Sequence, residues 1–360
     1  MPRRFGKRLG GALLLTLALS VGLVACDDDD SGASDSASTA AANTTATGEP
    51  IKTAVLLFGK ANDLTWNTSM ADTIERVKGP LNLDVVSQLE SVTAADGARA
   101  MRQVIEQGGA EFVILHASAL DQATKEVAAE HPEVCFLQAF GTDEPGPNVT
   151  YYVDDATGVN YLAGMAAASQ SKSGTIGVVG GVDLDEIVKS VEAFETGAKV
   201  IDPDVKVLVT WVGDFEDPLK GKEAGLAQVA QGADVLYAFG DGTGLGTVEA
   251  AKEENVPVIG AWFDQYELAP ELTVTSFVTD WAPFVTEAVE KIRTSGTETC
   301  SQGVWAANLE NGGTLLAPFH DFEDKIPADV KTQIDEAEAA IIAGTLDPVT
   351  GETTGSTTTE

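Results

Sequence analysis

The amino-acid sequence predicts an α/β protein with two lobes, each built on a doubly wound parallel sheet. Short runs rich in β-branched and apolar residues alternate with longer segments of helical periodicity, which is typical of parallel sheets with helices on both faces. The alternation runs from residue 51 to residue 155 and then starts again. The body from Ile51 to Pro348 is about 300 residues long, a length that favours two domains over one.

The first lobe is predicted from five apolar runs. They read TAVLLFG, LDVVSQL, EFVILHA, EVCFLQAF and VTYYVDD, at 53–59, 83–89, 111–117, 133–140 and 149–155. Helical segments such as TSMADTIERVKG and AADGARAMRQVIEQGG lie between them. The near-continuous apolar character of EFVILHA and TAVLLF indicates strands that are buried on both faces of the sheet.

The second lobe is predicted from four further runs, at 175–181, 205–213, 234–240 and 256–263, with helices near 185–199, 219–231 and 246–255. The later segments LTVTSFVTD and APFVTEAVEKIRTS add to a lobe that began earlier. We therefore assign 51–156 and 264–300 to the first lobe, 157–263 and 301–346 to the second, and a disordered tail to 347–360. We expect hinge crossings near Asp155, Phe263 and Cys300, and a ligand cleft where the carboxyl ends of the two sheets meet.

The N-terminus has the charge order of a secretory signal. Four basic residues precede an uncharged apolar segment that is too short for a comfortable membrane span and ends in small residues. We expect residues 1–25 to be removed. Leu23–Cys26 resembles the lipobox of bacterial lipoproteins, with Cys26 as the lipidated first residue, and 26–50 is then a disordered tether. The alternative is an ordinary signal peptide with a cysteine in that place.

Composition excludes several function classes. The formal net charge is −34, and such a surface repels nucleic acid. The three histidines have no metal-ligand spacing, so no metal is expected. Of the three cysteines, Cys135 and Cys300 remain as a pair, which either forms a disulfide in an oxidising compartment or stays free, with Cys135 in a buried strand.

The glycine loop GDGTGLG at 240–246 follows a predicted strand and opens a helix. It departs from the dinucleotide pattern G-x-G-x-x-G at Leu245 and carries no P-loop lysine, so no cofactor is expected. The simpler interpretation is a tight turn that faces the cleft, whose amides could meet a polar ligand. The sequence has no G-x-S-x-G elbow and no recognisable catalytic histidine arrangement, so an enzyme is not expected.

Polar and aromatic residues recur together where predicted strands end. Aromatic rings stack on heterocycles, and carboxylates accept hydrogen bonds from hydroxyls, so this combination favours a sugar-bearing or heterocyclic ligand. Any single one of these residues could instead be a helix cap or a core residue. The candidate ligand-binding residues are Asp63, Trp66, Asn67, Ser118, Phe215, Asp217, Gly242, Asp264 and Trp281.

Several segments together resemble the basic membrane protein family of ABC importer substrate-binding lipoproteins. They are NDLTWN, YLAGMAAA, TIGVVGG, GDFEDPLKGKEA, QGADVLYAF, VPVIGAWFDQ and TSFVTDW, in the family's order. The resemblance implies a type I periplasmic-binding fold and two partners, a permease and an ATPase. It also implies that the first motif, the glycine loop and the last Asp-Gln pair line the ligand, which assigns Asp63, Trp66, Asn67, Gly242 and Asp264 to the site.

Two positions depart from the nucleoside-binding pattern of the family. Trp262 stands where an acidic residue is common, and Thr279 stands where many nucleoside binders have a lysine. Trp281 is similar to a tryptophan in another branch. We therefore expect a monomeric, lipid-anchored, extracytoplasmic importer component that binds a purine nucleoside or purine base. The alternatives are a signalling receptor, a sugar-binding protein of the same fold and a secreted hydrolase.

Overall fold

The computed structural model describes residues 48–141 and 144–354. These residues belong to one compact unit, Asn43–Glu360. The predicted signal peptide, the lipidation site Cys26 and the tether up to residue 47 lie outside the described residues. No helix in the described ranges is both long enough and apolar enough to span a bilayer.

The first half of the chain alternates strands and helices. The elements are β1 (Ile51–Leu57), α1 (Trp66–Val77), β2 (Leu83–Leu89), α2 (Ala94–Glu106), β3 (Phe112–His116), α3 (Asp121–Glu130), β4 (Cys135–Ala139) and β5 (Val149–Asp154).

The second half repeats the alternation and then returns to the first lobe. The elements are α4 (Thr157–Gln170), β6 (Thr175–Gly180), α5 (Asp185–Ile201), β7 (Lys206–Trp211), α6 (Pro218–Ala230), β8 (Val235–Phe239), α7 (Gly242–Glu254), β9 (Val258–Gly260), β10 (Thr273–Thr279), α8 (Ala282–Ser295), β11 (Val304–Ala307), β12 (Thr314–Leu316) and α9 (Ala328–Ile342).

Two six-stranded sheets confirm the predicted fold class. The first has the order β11-β5-β4-β3-β1-β2, and the second has the order β12-β10-β9-β8-β6-β7. All pairings in the first sheet are parallel, and in the second only β10 and β12 pair antiparallel. Buried apolar clusters lie on both faces of each sheet, as the continuous apolar strands require.

The course of the chain after Phe263 differs from the predicted lobe boundaries. Strand β10 pairs with β9 and so belongs to the second sheet, whereas β11 pairs with β5 in the first. The chain therefore crosses between the sheets at three places, 155–156, 280–281 and 308–313. The reason is that a strand's apolar pattern specifies burial but does not specify which neighbouring strand it pairs with.

The end of the chain also differs from the predicted disordered tail, because residues 347–354 are folded. Leu346 and Thr353 form an antiparallel bridge, and the Thr196 hydroxyl of α5 donates to the carbonyl of Val349 at 2.8 Å. Val349 packs against the core of the second lobe. The apolar surface of the lobe thus orders a segment whose own composition is polar.

The cysteine pair is joined in a disulfide. Cys135 on β4 and Cys300 before β11 are 165 positions apart, and both are buried in the first lobe. On the chain-entropy model such a loop contributes about 5 kcal/mol to the free energy of unfolding. The bridge joins β4 to the segment before β11, a strand that enters the first sheet 150 residues after β5 ends.

Candidate ligand-binding site

Two adjoining cavities lie between the lobes, at the carboxyl ends of the strands. The first has a volume of about 300 Å³ and is lined from the first lobe by Phe58, Trp66, Ala117, Ser118, Ala119 and Phe140. Its second-lobe lining consists of Leu184, Glu186, Ile187, Phe215, Glu216, Asp241 and Trp262. The second cavity, of about 520 Å³, shares Phe58 and Glu216 and adds Lys60, Asp63 and Gly242 among others.

Trp66 is the central ring of the first-lobe wall. It is the first residue of α1, and its ring stacks on His116 with centroids 4.1 Å apart and planes 10° apart. The edge of Trp262 from the second lobe contacts it at a centroid distance of 5.6 Å. Trp66 therefore packs against both lobes while it lines the cavity, as ligand-gripping aromatic residues do.

His116 supports this ring as a neutral imidazole. Burial lowers the pKa of His116 to about 3. Its Nδ1 lies 2.7 Å from the Tyr152 hydroxyl, and its Nε2 lies 3.0 Å from the carbonyl oxygen of Trp66. Both ring nitrogens are thus bonded to the protein, so His116 holds Trp66 in place and leaves ligand contact to the neighbouring ring.

Asp63 fixes the start of α1. Its carboxylate accepts five hydrogen bonds, from the backbone N–H groups of Thr65, Asn67 and Thr68 and from the side chains of Asn67 and Thr68. A carboxylate at a helix N-terminus stabilises the free N–H groups of the first turn. Asn67 in turn accepts from the Gly59 N–H at 3.1 Å, which joins the end of β1 to the helix.

The second-lobe wall is acidic. Burial, followed by the charges of Glu216 and Asp63, raises the pKa of Asp241 well above its usual range. Burial and the charge of Asp63 also raise the pKa of Glu216. Among the described residues, Asp241 Oδ1 and Trp262 Nε1 have no hydrogen-bond partner. Both atoms are buried within the wall, so the polar groups that the wall offers to a ligand are the carboxyl groups of its lining residues Glu186, Glu216 and Asp241.

Three cleft residues have left-handed backbone conformations that are rare for large side chains. The φ angles of Leu64, Phe140 and Trp262 are 61°, 51° and 70°. Each such residue costs on the order of 1–3 kcal/mol and persists only where the surrounding structure enforces it. The surrounding structure therefore fixes the backbone that carries these three cleft side chains.

The structure brings five of the predicted residues to the cavities. Trp66, Ser118 and Phe215 line the first cavity, and Asp63 and Gly242 line the second. Asn67 and Trp281 are buried behind the wall: Asn67 bonds to Asp63, and Trp281 donates from Nε1 to the Ser69 hydroxyl at 2.9 Å.

The last two predicted residues have other partners. Asp217 is the N-cap of α6 and accepts from the Lys220 N–H at 3.0 Å. Asp264 bonds to His320 Nε2 at 2.8 Å, and His320 stacks on Tyr266 with ring centroids 4.1 Å apart. The Asp264 carboxylate therefore lines neither of the two cavities, although the family resemblance assigned it to the site.

Several lining residues are absent from the set of candidates predicted from the sequence. Phe58 and Phe140 each follow a strand directly, and Asp241 follows β8 after one glycine. A rule that takes every large or charged residue within two positions after a strand would have found these three. Glu186 and Glu216 lie near helix starts, where an acidic residue is usually assigned to the helix dipole alone.

Two lobes that enclose a cavity lined by aromatic rings and carboxyl groups define a ligand-binding protein of the two-lobe class. The family model described as ABC transporter substrate-binding protein PnrA-like matches residues 51–345, and the chain belongs to this Bmp family. Members of the family are extracytoplasmic substrate-binding proteins that bind small ligands and work with permease and ATPase partners. The predicted family assignment is thereby confirmed.

Individual relatives are similar over most of the chain. A purine-binding protein of Brucella abortus is 28% identical over 305 residues, which is 84% of each chain. The ABC transporter nucleoside-binding protein BmpA of Lactococcus lactis is 28% identical over 258 residues, 67% of this chain and 72% of that protein. The solved structure of an ABC transporter solute-binding protein from Conexibacter woesei has a TM-score of 0.70 at 27% identity and covers 82% of this chain and 98% of its own.

Proposed function

We propose that this protein captures a purine, as the nucleoside or the free base, between its lobes and delivers it to an ABC importer. The observation that carries the proposal is a cavity lined both by the rings of Trp66, Phe140 and Phe215 and by the carboxyl groups of Glu216 and Asp241. A purine offers flat faces for stacking and N–H or hydroxyl donors for carboxylates. The names of the Brucella and Lactococcus relatives support the same ligand class.

The charge of the cavity favours a neutral ligand over a nucleotide. The described lining of the first cavity includes Glu186, Glu216 and Asp241 and no lysine or arginine. Lys60 lines the second cavity, but its ammonium is 3.1 Å from Glu90. A phosphate group would therefore lie beside the carboxyl groups of Glu186 and Glu216 without a free cation, which is unfavourable.

The mature protein, in this proposal, is held at the outer face of the membrane through a lipid on Cys26 and presents the closed lobes to a permease. The lipobox-like Leu23–Cys26 supports the anchor. Mass spectrometry of the membrane-extracted protein tests it, because an acylated N-terminal cysteine is expected and a chain cleaved elsewhere would contradict it. Cys26→Ser should release the protein from membranes.

Calorimetric titration of the compact unit from Asn43 tests the ligand class. The panel contains adenosine, inosine, guanosine, hypoxanthine, adenine, adenosine monophosphate, glucose and leucine. We expect binding of at least one nucleoside or base and weaker binding of the monophosphate. A ligand at a hundredfold excess over its dissociation constant raises the free energy of unfolding by about 2.7 kcal/mol, so a thermal shift provides an independent readout.

Phe215→Ala locates the site, and Leu219→Ala is its control. Phe215 lines the cavity, whereas Leu219, four residues further along, is 67% exposed. Purine affinity should fall only in Phe215→Ala. Binding of glucose or leucine with no purine response would overturn the proposed ligand class, and equal loss in both variants would place the ligand elsewhere.

A further inference from the structure

The second lobe bonds to the first beside the cavity. Gln265 Nε2 donates to the carbonyl oxygen of Leu64, 3.2 Å away, and the two residues are 201 positions apart. Leu64 precedes α1 of the first lobe, and Gln265 lies between β9 and β10 of the second. Gln265 is only 2% exposed, whereas Leu64 is 38% exposed, so the donor of this interlobe bond is buried.

The position of Gln265 is set by its own lobe. Its N–H donates to the Ser276 hydroxyl on β10 at 3.1 Å, and its carbonyl accepts from the Leu268 N–H at 3.0 Å. Gly260 makes room for the side chain, because a Cβ there would lie 2.9 Å from Gln265 Cβ. The amide donor therefore projects from a fixed backbone.

The acceptor is equally fixed to the first lobe. The Leu64 N–H donates to the Thr68 hydroxyl at 2.7 Å, and the residue has a φ of 61°. The next residue but one is Trp66, whose ring lines the cavity. The Leu64 carbonyl and the Trp66 ring are thus carried by one short segment at the start of α1.

We propose that Gln265 is a closure latch, a positioning residue that bonds to the segment carrying Trp66 when the lobes close. The proposal rests on the proposed function in one respect, that Trp66 grips the ligand. A ligand enters the open form, in which the latch is unmade, and leaves after the closed form opens. Loss of the latch should therefore raise the dissociation rate, and it should not lower the association rate, because the open form is the one that the ligand enters.

Gln265→Met removes the donor with little change of volume. With adenosine and hypoxanthine as probes in stopped-flow tryptophan fluorescence, we expect dissociation roughly 2- to 12-fold faster, the range given by loss of one net hydrogen bond. Gln228→Met is the control. Gln228 is 1% exposed, but its Nε2 donates to the Val178 and Leu208 carbonyls and to Thr210 Oγ1, all within the second lobe. Gln228→Met should lower the melting temperature without changing the ratio of the dissociation and association rate constants.

Small-angle scattering separates failure of the latch from failure of the ligand proposal. If neither probe binds the unmodified protein, the purine proposal fails, and the latch is judged on ligand-free protein alone. Gln265→Met should then have a larger radius of gyration than both the unmodified protein and Gln228→Met. Equal radii of gyration together with an unchanged dissociation rate would overturn the proposed latch. An equal increase of the dissociation rate in Gln228→Met would overturn it as well.

Discussion

The two walls of the cleft differ in how far their polar groups are already satisfied. In the first lobe the rings of Trp66, His116 and Trp281 pack on one another, and each ring nitrogen bonds to a protein oxygen. In the second lobe Asp241 Oδ1 and Trp262 Nε1 have no partner among the described residues.

This difference indicates which part of ligand recognition each lobe contributes. A wall whose ring nitrogens are all bonded to the protein offers a rigid surface for stacking, which binds flat ligands of many kinds. A wall lined by the carboxyl groups of Glu186, Glu216 and Asp241 favours ligands whose hydrogen-bond donors match them. The first lobe should therefore supply most of the affinity, and the second lobe should supply the discrimination.

Removal of the disulfide should have the largest effect, and it tests the rigidity of the first-lobe wall. Cys135→Ala combined with Cys300→Ala should lower the free energy of unfolding by up to about 5 kcal/mol in urea titrations. Dithiothreitol should destabilise the unmodified protein similarly and leave the double variant unaffected. If ligand affinity falls in parallel, the wall owes its rigidity to the bridge; unchanged affinity would assign that rigidity to ring packing.

Trp66→Ala should have the next largest effect and should weaken ligand binding directly. Ring–base stacking is worth about 1–3 kcal/mol, so purine affinity should fall roughly 5- to 150-fold, with about 3 kcal/mol of stability also lost. Trp305→Ala is the matched control, because Trp305 is half-buried in the first lobe and stacks on Phe284 at 4.7 Å. A similar affinity loss in the control would remove the special role of Trp66.

Asp154, at the carboxyl end of β5 in the first lobe, provides a pH test of a buried carboxyl group. Burial, with the charge of Glu186 as a further cause, raises the pKa of Asp154 to about 7. The folded protein thus keeps this proton to a higher pH than the unfolded chain, so the free energy of unfolding falls as pH rises from about 4 to about 7. Partial solvent exposure limits the change to about 2 kcal/mol.

Asp154→Asn should abolish this part of the pH slope, measured by chemical denaturation at pH 4.5, 6 and 8. Asp204→Asn, on the exposed turn before β7, should keep it. An identical slope in all three proteins would show that Asp154 titrates as an ordinary surface carboxylate.

Glu186→Gln should give the smallest effect and should change selectivity more than stability. It lines the cavity from the first turn of α5, and loss of its charge should weaken binding of hydrogen-bond-donating ligands about 2- to 12-fold. Asp185→Asn, in the same helical turn, removes an equal charge outside the lining and should leave affinity unchanged. Better binding of the monophosphate by Glu186→Gln would support charge-based exclusion of nucleotides.

The fold was largely predictable from the sequence because strand and helix periods are local properties. The assignment of β10 and β11 to lobes was not, because sheet pairing depends on partners far away in the chain. The same limit applies to the site. Trp66 and Phe215 lie in the segments that follow β1 and β7 and reach the cavity. Asp264 instead bonds to His320, 56 positions later, and no local pattern indicates that partner.

Helix α1 has one end in the cleft and the other at the crossings between the lobes. At its far end Arg76 Nη2 donates to Asp280 Oδ1 at 2.7 Å, and the Asp280 N–H donates to the Gly313 carbonyl at 2.9 Å, which joins two of the three crossing segments. The helix has 12 residues and so spans about 18 Å. Because the helix is bonded at both ends, a change in the angle of the crossings also moves the aromatic wall. The exceptions are a bend in the helix or the loss of one of the end bonds.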